Sequence, residues 1–409
     1  MPIAKGLFKQ LRYKLQTAQG VAAGTSGGQI LRRVTSDISL NKDTYQSEEI
    51  RSDQQIADFR HGVRRVAGTI NGEISPGTYA DLLAAILRRD FTAVTAISGA
   101  SITIAVGSLL GTVQAYIVTR AAGSFLTDGI KAGDVVRLTA GSFNAANLNK
   151  NLLVVSLTAL ALTVIPLNGV AMVAEGPIAS ATVSVPGKKT YVPTSAHTDK
   201  YITFEHWFSD VAQSERFTDC KLAQMDINLP ATGMATLAAQ VQGLDMVTAT
   251  SVYFTAPAVE TTSGVVAAVN GVLLAGGVPV GLVTGMSASI NANLTGDPVV
   301  GQNTLPDLYP GRVVVTGQFT AYFQDAVLRD AFVNETEIGI SAALTTGNTA
   351  AADFLAMTMS RVKLGSASKD DGEKGLIQTF SFQALLNGAG GAGAANEKTT
   401  ISVQDSLAA

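Results

Sequence analysis

The pattern of apolar and polar positions carries most information between residues 35 and 89. Residues 35–40 (TSDISL) alternate in the manner of a half-buried strand. Residues 41–62 then form a long polar excursion carrying both signs of charge. A second strand-like run covers 63–74 and stops at Ser75-Pro76-Gly77. Tyr79, Leu82, Leu83, Ile86 and Leu87 follow at helical spacing, which predicts a short amphipathic helix over 78–89. Two strands are thus joined by an extended charged arm, with a helix behind them.

The same order recurs later. Residues 289–294 (SINANL) parallel 38–40, and a shorter polar arm over 295–310 parallels 41–61. Residues 311–319 (GRVVVTGQF) parallel 64–70 (RRVAGTI), and 325–332 (DAVLRDAF) supply the helix. A hairpin over 356–387 matches one over 220–243, whose turn falls between Pro230 and Gly233. Identity between the copies is weak, but the shared order of elements predicts an internal duplication. Residues 92–195 change texture. Strand runs at 134–138, 151–157 and 161–166 are separated by close Gly/Asn turns, the pattern of a small antiparallel barrel or sandwich. The chain is therefore expected to be mainly β. A first unit comprises 1–91 and 196–250 and carries the long arm 41–62. An inserted β module spans 92–195, and 255–409 forms a second unit with a C-terminal tail.

Charge is sparse. With 29 basic and 32 acidic residues the net charge is −3, which removes the basic footprint of a nucleic-acid-binding protein. So little charge on 409 residues points to a large core or to surface hidden in an assembly. The uncharged runs 152–174 and 261–296 contain proline and Asn-Gly turns, so they read as strands and no membrane insertion is expected. Residues 1–16 read either as an amphipathic arm docking on a neighbour or as a flexible or locally packed terminus.

No catalytic, cofactor or metal residues emerge. His61, His197 and His206 lie at no ligand spacing, and adjacent Glu205 and His206 point to opposite faces of a strand. Cys220 reads as a buried, inert thiol. The acidic run 369–374 reads as a solvated hairpin tip or one that reaches a neighbouring subunit. The arm is the remaining candidate. Lys42, Tyr45, Glu48, Glu49, Arg51, Asp53, Asp58 and Arg60, interspersed with Ile50, Ile56 and Phe59, suit either a solvated hairpin or a docking contact that needs fixed register.

The run from Ser36 to Leu87 resembles the N-terminal signature of the major tail tube proteins of long-tailed (siphovirus-type) bacteriophages. Its matching positions are Lys42, Tyr45, Ser47, Glu49 and Ile50 in the arm, Gly68, Ile70, Glu73, Ile74 and Ser75 in the strand, and Leu82 and Leu83 in the helix. Residues 201–207 (YITFEHW) and 220–229 are similar to the family as well. GSFLTDGIKAGDVVRL resembles a small β module of phage virion proteins. The resemblance covers much of 30–250 and reaches the second unit by pattern only.

It implies two tandem tail-tube-type β-sandwich units, each with a flanking α-helix, plus an inserted β-barrel or sandwich on the outside of a tube. Such proteins form rings that stack into a hollow tail tube, through which DNA passes without specific binding. With two units per chain, three chains would complete a pseudo-hexameric ring; hexameric rings are the alternative. The implied partners are the chain itself, the tape measure, the tail terminator and distal tail proteins. The implied setting is a virion tail assembled in the host cytoplasm, with no enzymatic activity. The long arm would make the main contact between rings and the short arm a lesser or different one at the pseudo-symmetric position. A virion decoration or receptor- and glycan-binding role for the inserted module, or a secretion-system tube of similar fold, stand as alternatives.

Overall fold

A computed structural model describes residues 3–280, 283–323, 326–370, 373 and 375–409. The chain opens with β1 (Lys9–Leu15) and a short β2 (Gln29–Ile30). β3 (Thr35–Ser36) and β4 (Ser39–Gln46) lead into β5 (Phe59–Glu73) and then α1 (Ala80–Leu87). Six strands follow: β6 (Ile97–Leu110), β7 (Val113–Arg120), β8 (Val135–Ala140), β9 (Leu152–Leu157), β10 (Ala161–Pro166) and β11 (Glu175–Ser184). Next come β12 (Lys188–Tyr191), β13 (Ile202–Phe208), β14 (Gln213–Pro230), β15 (Thr236–Gly243) and β16 (Asp245–Ala249). The last part holds β17 (Gly271–Ala275), β18 (Val278–Pro279), β19 (Val283–Asn291), β20 (Val314–Tyr322), α2 (Val327–Val333), β21 (Ile338–Thr345), β22 (Phe354–Lys369), β23 (Ile377–Ala384) and β24 (Ser402–Asp405).

Pairing builds two tandem sandwiches by one plan. In the first, β4 pairs β5, β5 pairs β15 and β15 pairs the second half of β14. In the second, β19 pairs β20, β20 pairs β23 and β23 pairs the second half of β22. β14 and β22 are long enough to bend from this inner layer into the outer one, where their first halves pair β13 and β21. β1 covers β13 as β17 covers β21. Two glycines mark the repeat. A Cβ on Gly68 would lie 2.6 Å from the Ile38 backbone nitrogen, and one on Gly317 would run into the Ser287 carbonyl. Both sit where neighbouring strands approach too closely for a side chain. The two inner layers are themselves joined, because β14 pairs β19 from Gln224↔Asn291 to Pro230↔Gly285. One core runs under both sandwiches, from Leu82 and Leu87 of α1 to Phe319 and Phe380.

Several elements differ from the sequence reading. The polar excursion 41–62 is strand at both ends: β4 continues to Gln46 and β5 begins at Phe59, leaving 47–58 irregular. Polarity there marks a ladder with both faces wet, which alternation cannot reveal. Residues 9–15 are a strand in the outer layer, paired residue by residue with β13. Asn270 precedes β17 and does not turn a hairpin. α2 is described from Val327; Asp325, the first residue of the predicted helix, lies outside the described residues, as do Asp371, Gly372 and Lys374 of the acidic tip.

The module between α1 and β12 is a closed barrel in the order β10-β7-β6-β11-β8-β9, filled by residues such as Ile102, Phe125, Leu152 and Val164. It is not a loosely tethered bead. Ala115, Val135, Leu153 and Ile165 share a cluster with Leu274, Ala343, Phe354 and Ala356 of the second unit's outer layer. Gln404 on β24 bonds both the amide and the carbonyl of Val135, at 2.8 and 3.0 Å. Lys189 on β12 meets Asp134 at 2.8 Å, both nearly buried. A buried pair adds little net stability but is costly to break on one side. Phe354, fully buried at this joint, is the test of it. Phe354→Ala is expected to lower unfolding stability by about 3–5 kcal/mol in a denaturant titration. A loss below about 1 kcal/mol would mean the barrel and second unit do not depend on the joint.

Candidate assembly surface

The inner layers form one antiparallel sheet of eight strands. Its core-facing side is apolar, with Val66, Ile70, Leu237, Val241, Met225, Ile290 and Val315 all buried. The opposite side is open and runs in rows across the strands. One row reads Thr35, Asn71, Ala238, Asp226, Ser289, Thr316, Gln383 and Lys363. The next reads Glu73, Thr236, Asn228, Ser287, Gln318, Ser381 and Ser366. Hydroxyls and amides dominate, and they satisfy one another. Asn71 Nδ2 donates to Thr35 Oγ1 at 2.8 Å, Asn291 Nδ2 to Gln224 Oε1 at 3.1 Å, and the Ser366 and Ser381 hydroxyls meet at 2.7 Å. The few charges are mostly engaged. Asp226 accepts both its bonds from Gln224, at 2.8 and 2.9 Å, Arg65 holds Asp43 at 3.0 Å, and Lys363 lies 3.6 Å from Glu335. Period-two alternation in the sequence encodes this face, but only the pairing shows that all eight strands present it on one side.

The arm projects from the edge of that sheet. Lys42 and Tyr45 lie on β4, opposite Arg64 and Arg60. Glu48, Glu49, Arg51, Asp53 and Asp58 occupy the irregular tip, and Arg60 lies on the returning strand β5. The candidate residues are therefore brought onto one hairpin, but not into one cluster. Arg51 pairs Asp53 at 3.2 Å and Arg60 pairs Asp58 at 2.8 Å, and the latter bond holds the Asp58 carboxyl below its ordinary range. Such exposed pairs are screened by solvent, so they do not hold the hairpin in place. Its ladder does, together with the Tyr45 ring, which lies against Gly62 where a Cβ would collide with it. Large apolar side chains are left in solvent. Ile50 is fully exposed, and Tyr45, Ile56 and Phe59 are about half or more exposed. The short arm behaves otherwise. Leu305 and Leu308 are buried with Leu244, and the Arg64 amide donates to the Asn303 carbonyl at 2.8 Å. Lys221 fixes its end, donating to the Leu308 carbonyl at 2.6 Å beside Asp307 at 3.3 Å.

Compared with known families, residues 9–384 match the model of the phage tail tube protein family. The chain belongs to that family. No individual curated protein matches it. The match spans both sandwiches and the inserted barrel up to the end of β23, and the chain is a tail tube protein, a structural component of the virion tail.

One polar set in this tail tube protein escaped the sequence. Ser36 Oγ lies 2.8 Å from His206 Nε2, and His206 Nδ1 lies 3.6 Å from Glu215. The residues are 170 positions apart or on paired strands, so spacing gave no signal. The order resembles a hydrolase triad, but the setting does not. Ser36 and His206 are buried in β3 and β13, out of reach of a substrate in solvent. The set ties the outer layer to the edge of the inner one. Glu205, on the other face of β13, is fully buried and accepts from Ser214 Oγ at 2.7 Å and from the Tyr253 and Phe254 amides at 2.6 and 3.0 Å, clamping the chain that leaves β16. Cys220 is buried, and burial pushes its thiol up, out of nucleophile range.

Burial pulls the His206 pKa below its ordinary value of 6.5, with Lys9 and Arg33 acting in the same sense and Glu215 against it. The bond from His206 lowers the Glu215 carboxyl. A depressed folded-state pKa gives stability that is present above the unfolded value and is lost as pH falls towards the folded one. Unfolding stability is therefore expected to fall as pH drops below about 6.5, by up to about 1.4 kcal/mol per pH unit for this one proton, and the melting temperature falls with it. His206→Gln should flatten that fall between pH 7 and 5, and an unchanged slope would remove His206 as its source.

Proposed function

We propose that the chain polymerises as stacked rings of three copies, forming the hollow tail tube through which the phage delivers DNA. The observation that carries this reading is the single eight-stranded sheet made from two tube-type units. Three such sheets, joined edge to edge, give a ring with six pseudo-equivalent units. Closure would remove the free edges, which otherwise template aggregation. A head-to-tail contact along the axis then propagates the filament.

In this arrangement the hydroxyl- and amide-lined face surrounds the channel. Binding to DNA is dominated by phosphate contacts with cations. A wall with few charges, most of them paired, offers the polyanion little to hold, which suits passage without specific binding. The inserted barrel packs on the outer layer through Phe354 and its neighbours, so it would decorate the exterior. Its interior is filled by its own side chains, which supports a structural role over glycan capture. The long arm, with its exposed isoleucines, is the lever between rings, and the short arm is occupied within its own chain. Tape measure, terminator and distal tail proteins would meet the ends of the tube.

Electron micrographs of the purified protein test this. Class averages with threefold rings, or tubes built of them, are expected. Sixfold averages would favour six chains per ring, and monomers under all conditions would overturn the reading. Replacing Glu48, Glu49 and Arg51 together by alanine should leave folding stability within about 0.5 kcal/mol, since all three are exposed. The same variant should shorten tubes while single rings persist. Tubes of normal length would remove the tip from the stacking contact.

A further inference from the structure

The internal junction between the two units can serve as a template for the junction between chains. We infer that β22 of one copy pairs with β4 of the next in a defined register: Ser366↔Asn41, Ala367↔Leu40, Ser368↔Ser39 and Lys369↔Ile38. This rests on the ring reading above and gives its seam.

The register follows from the ladders. Leu222↔Val241 gives way across a bulge to Gln224↔Gln240, and Leu364↔Phe382 gives way across a bulge to Ser366↔Ser381. Ser366 therefore holds the place of Gln224. On the other side, Ser39 pairs Ala67 as Ser289 pairs Thr316, and those partners hold matching places on β5 and β20. Asn41 thus holds the place of Asn291. Within the chain, Gln224 pairs Asn291, Met225 pairs Ile290, Asp226 pairs Ser289 and Ile227 pairs Ala288. Substituting each residue by its counterpart gives the four pairs named.

Both edges are available. Beyond Val362, β22 pairs only β23, and β4 pairs only β5, so each has one open ladder edge among the described residues. The chemistry of the first three pairs also agrees on both faces, while Lys369 at the end of β22 is exposed, with its ammonium over the Phe323 ring. Leu40 and Ala367 both pack partly buried against the core, so their pair continues the apolar side. Ser39 with Ser368, and Asn41 with Ser366, continue the hydroxyl and amide side. A one-residue slip would place Leu40 in the channel wall and a serine against the core, which is why register is strongly specified here. The helices give an independent indication. α1 lies beside the internal junction, near Ala292 and Leu294, and buries six consecutive residues from Leu82 to Leu87. α2 occupies the matching place beside the open β22 edge and buries only Ala331. α1 packs on β14 and β12 and also faces Ala292, Leu294 and Pro310 of the following unit, while α2 has no following unit until a second copy supplies one.

Cysteine pairs test the seam. Ser39→Cys with Ser368→Cys in one chain should, once assembled and oxidised, give covalent dimers and trimers on a non-reducing denaturing gel, with monomer nearly exhausted. Asn41→Cys with Ser366→Cys should do the same and covers the case in which the first pair misfolds. Native Cys220 is buried, so single variants should stay monomeric on the gel. Ser39→Cys with Ala367→Cys puts the thiols on opposite faces and should not link. If micrographs show rings but only the slipped pair links, or none does, the register is overturned and the tube reading stands. If the parent protein forms no rings, the tube reading falls and the seam with it.

Discussion

The pairing of β14 with β19 is the contact on which the rest of the architecture depends. It makes the second half of β14 a central strand, with β15 on one edge and β19 on the other. Each ladder bond contributes only about 0.5–1.5 kcal/mol net, but a buried amide left unpaired costs more than that. The pairing runs the length of the inner half of β14, so the two sandwiches cannot separate without exposing a row of amides and the core beneath. Two units that could each have been an independent subunit are thereby fixed in one relative position.

That position explains the asymmetries between the copies. The long arm stands at an open edge and stays in solvent. The short arm lies beside the internal junction and is drawn onto it by Leu305, Leu308 and Lys221. Divergence of the repeats is therefore a consequence of their surroundings: one copy of each element faces its own chain and the other faces outward. The inserted barrel belongs to the same logic. It leaves the first unit after α1 but rests on the second, and β12 and β24 bind its exit to β22.

Buried polar groups fix the layers relative to each other. Glu205, His206, Lys189 and Asp134 are all sequestered, and each meets partners far away in sequence. Burial of such groups is tolerated only where the partners are in place. They act as registration points between the outer layer, the inner layer and the barrel. They hold three layers of this tail tube protein in one relative position, an effect larger than the small net stability of any one pair.

The sequence by itself determined the elements and their order. Alternation marked β5, β13 and β15, and helical spacing marked α1, whereas the matching places of Gly68 and Gly317 came only from the strand pairing. The family signature in residues 36–87 was legible as a local run. The sequence did not show that residues 41–46 and 59–62 form a ladder, because a strand wet on both faces has no apolar period. It did not show the joint at Phe354 or the Ser36–His206–Glu215 set, because those contacts join residues whose separation along the chain carries no pattern. Which arm is free, which helix is covered and where the sheet remains open were decided only when β14 met β19. Strand pairing is a long-range choice of partner and register, and no local arrangement of residues contains it.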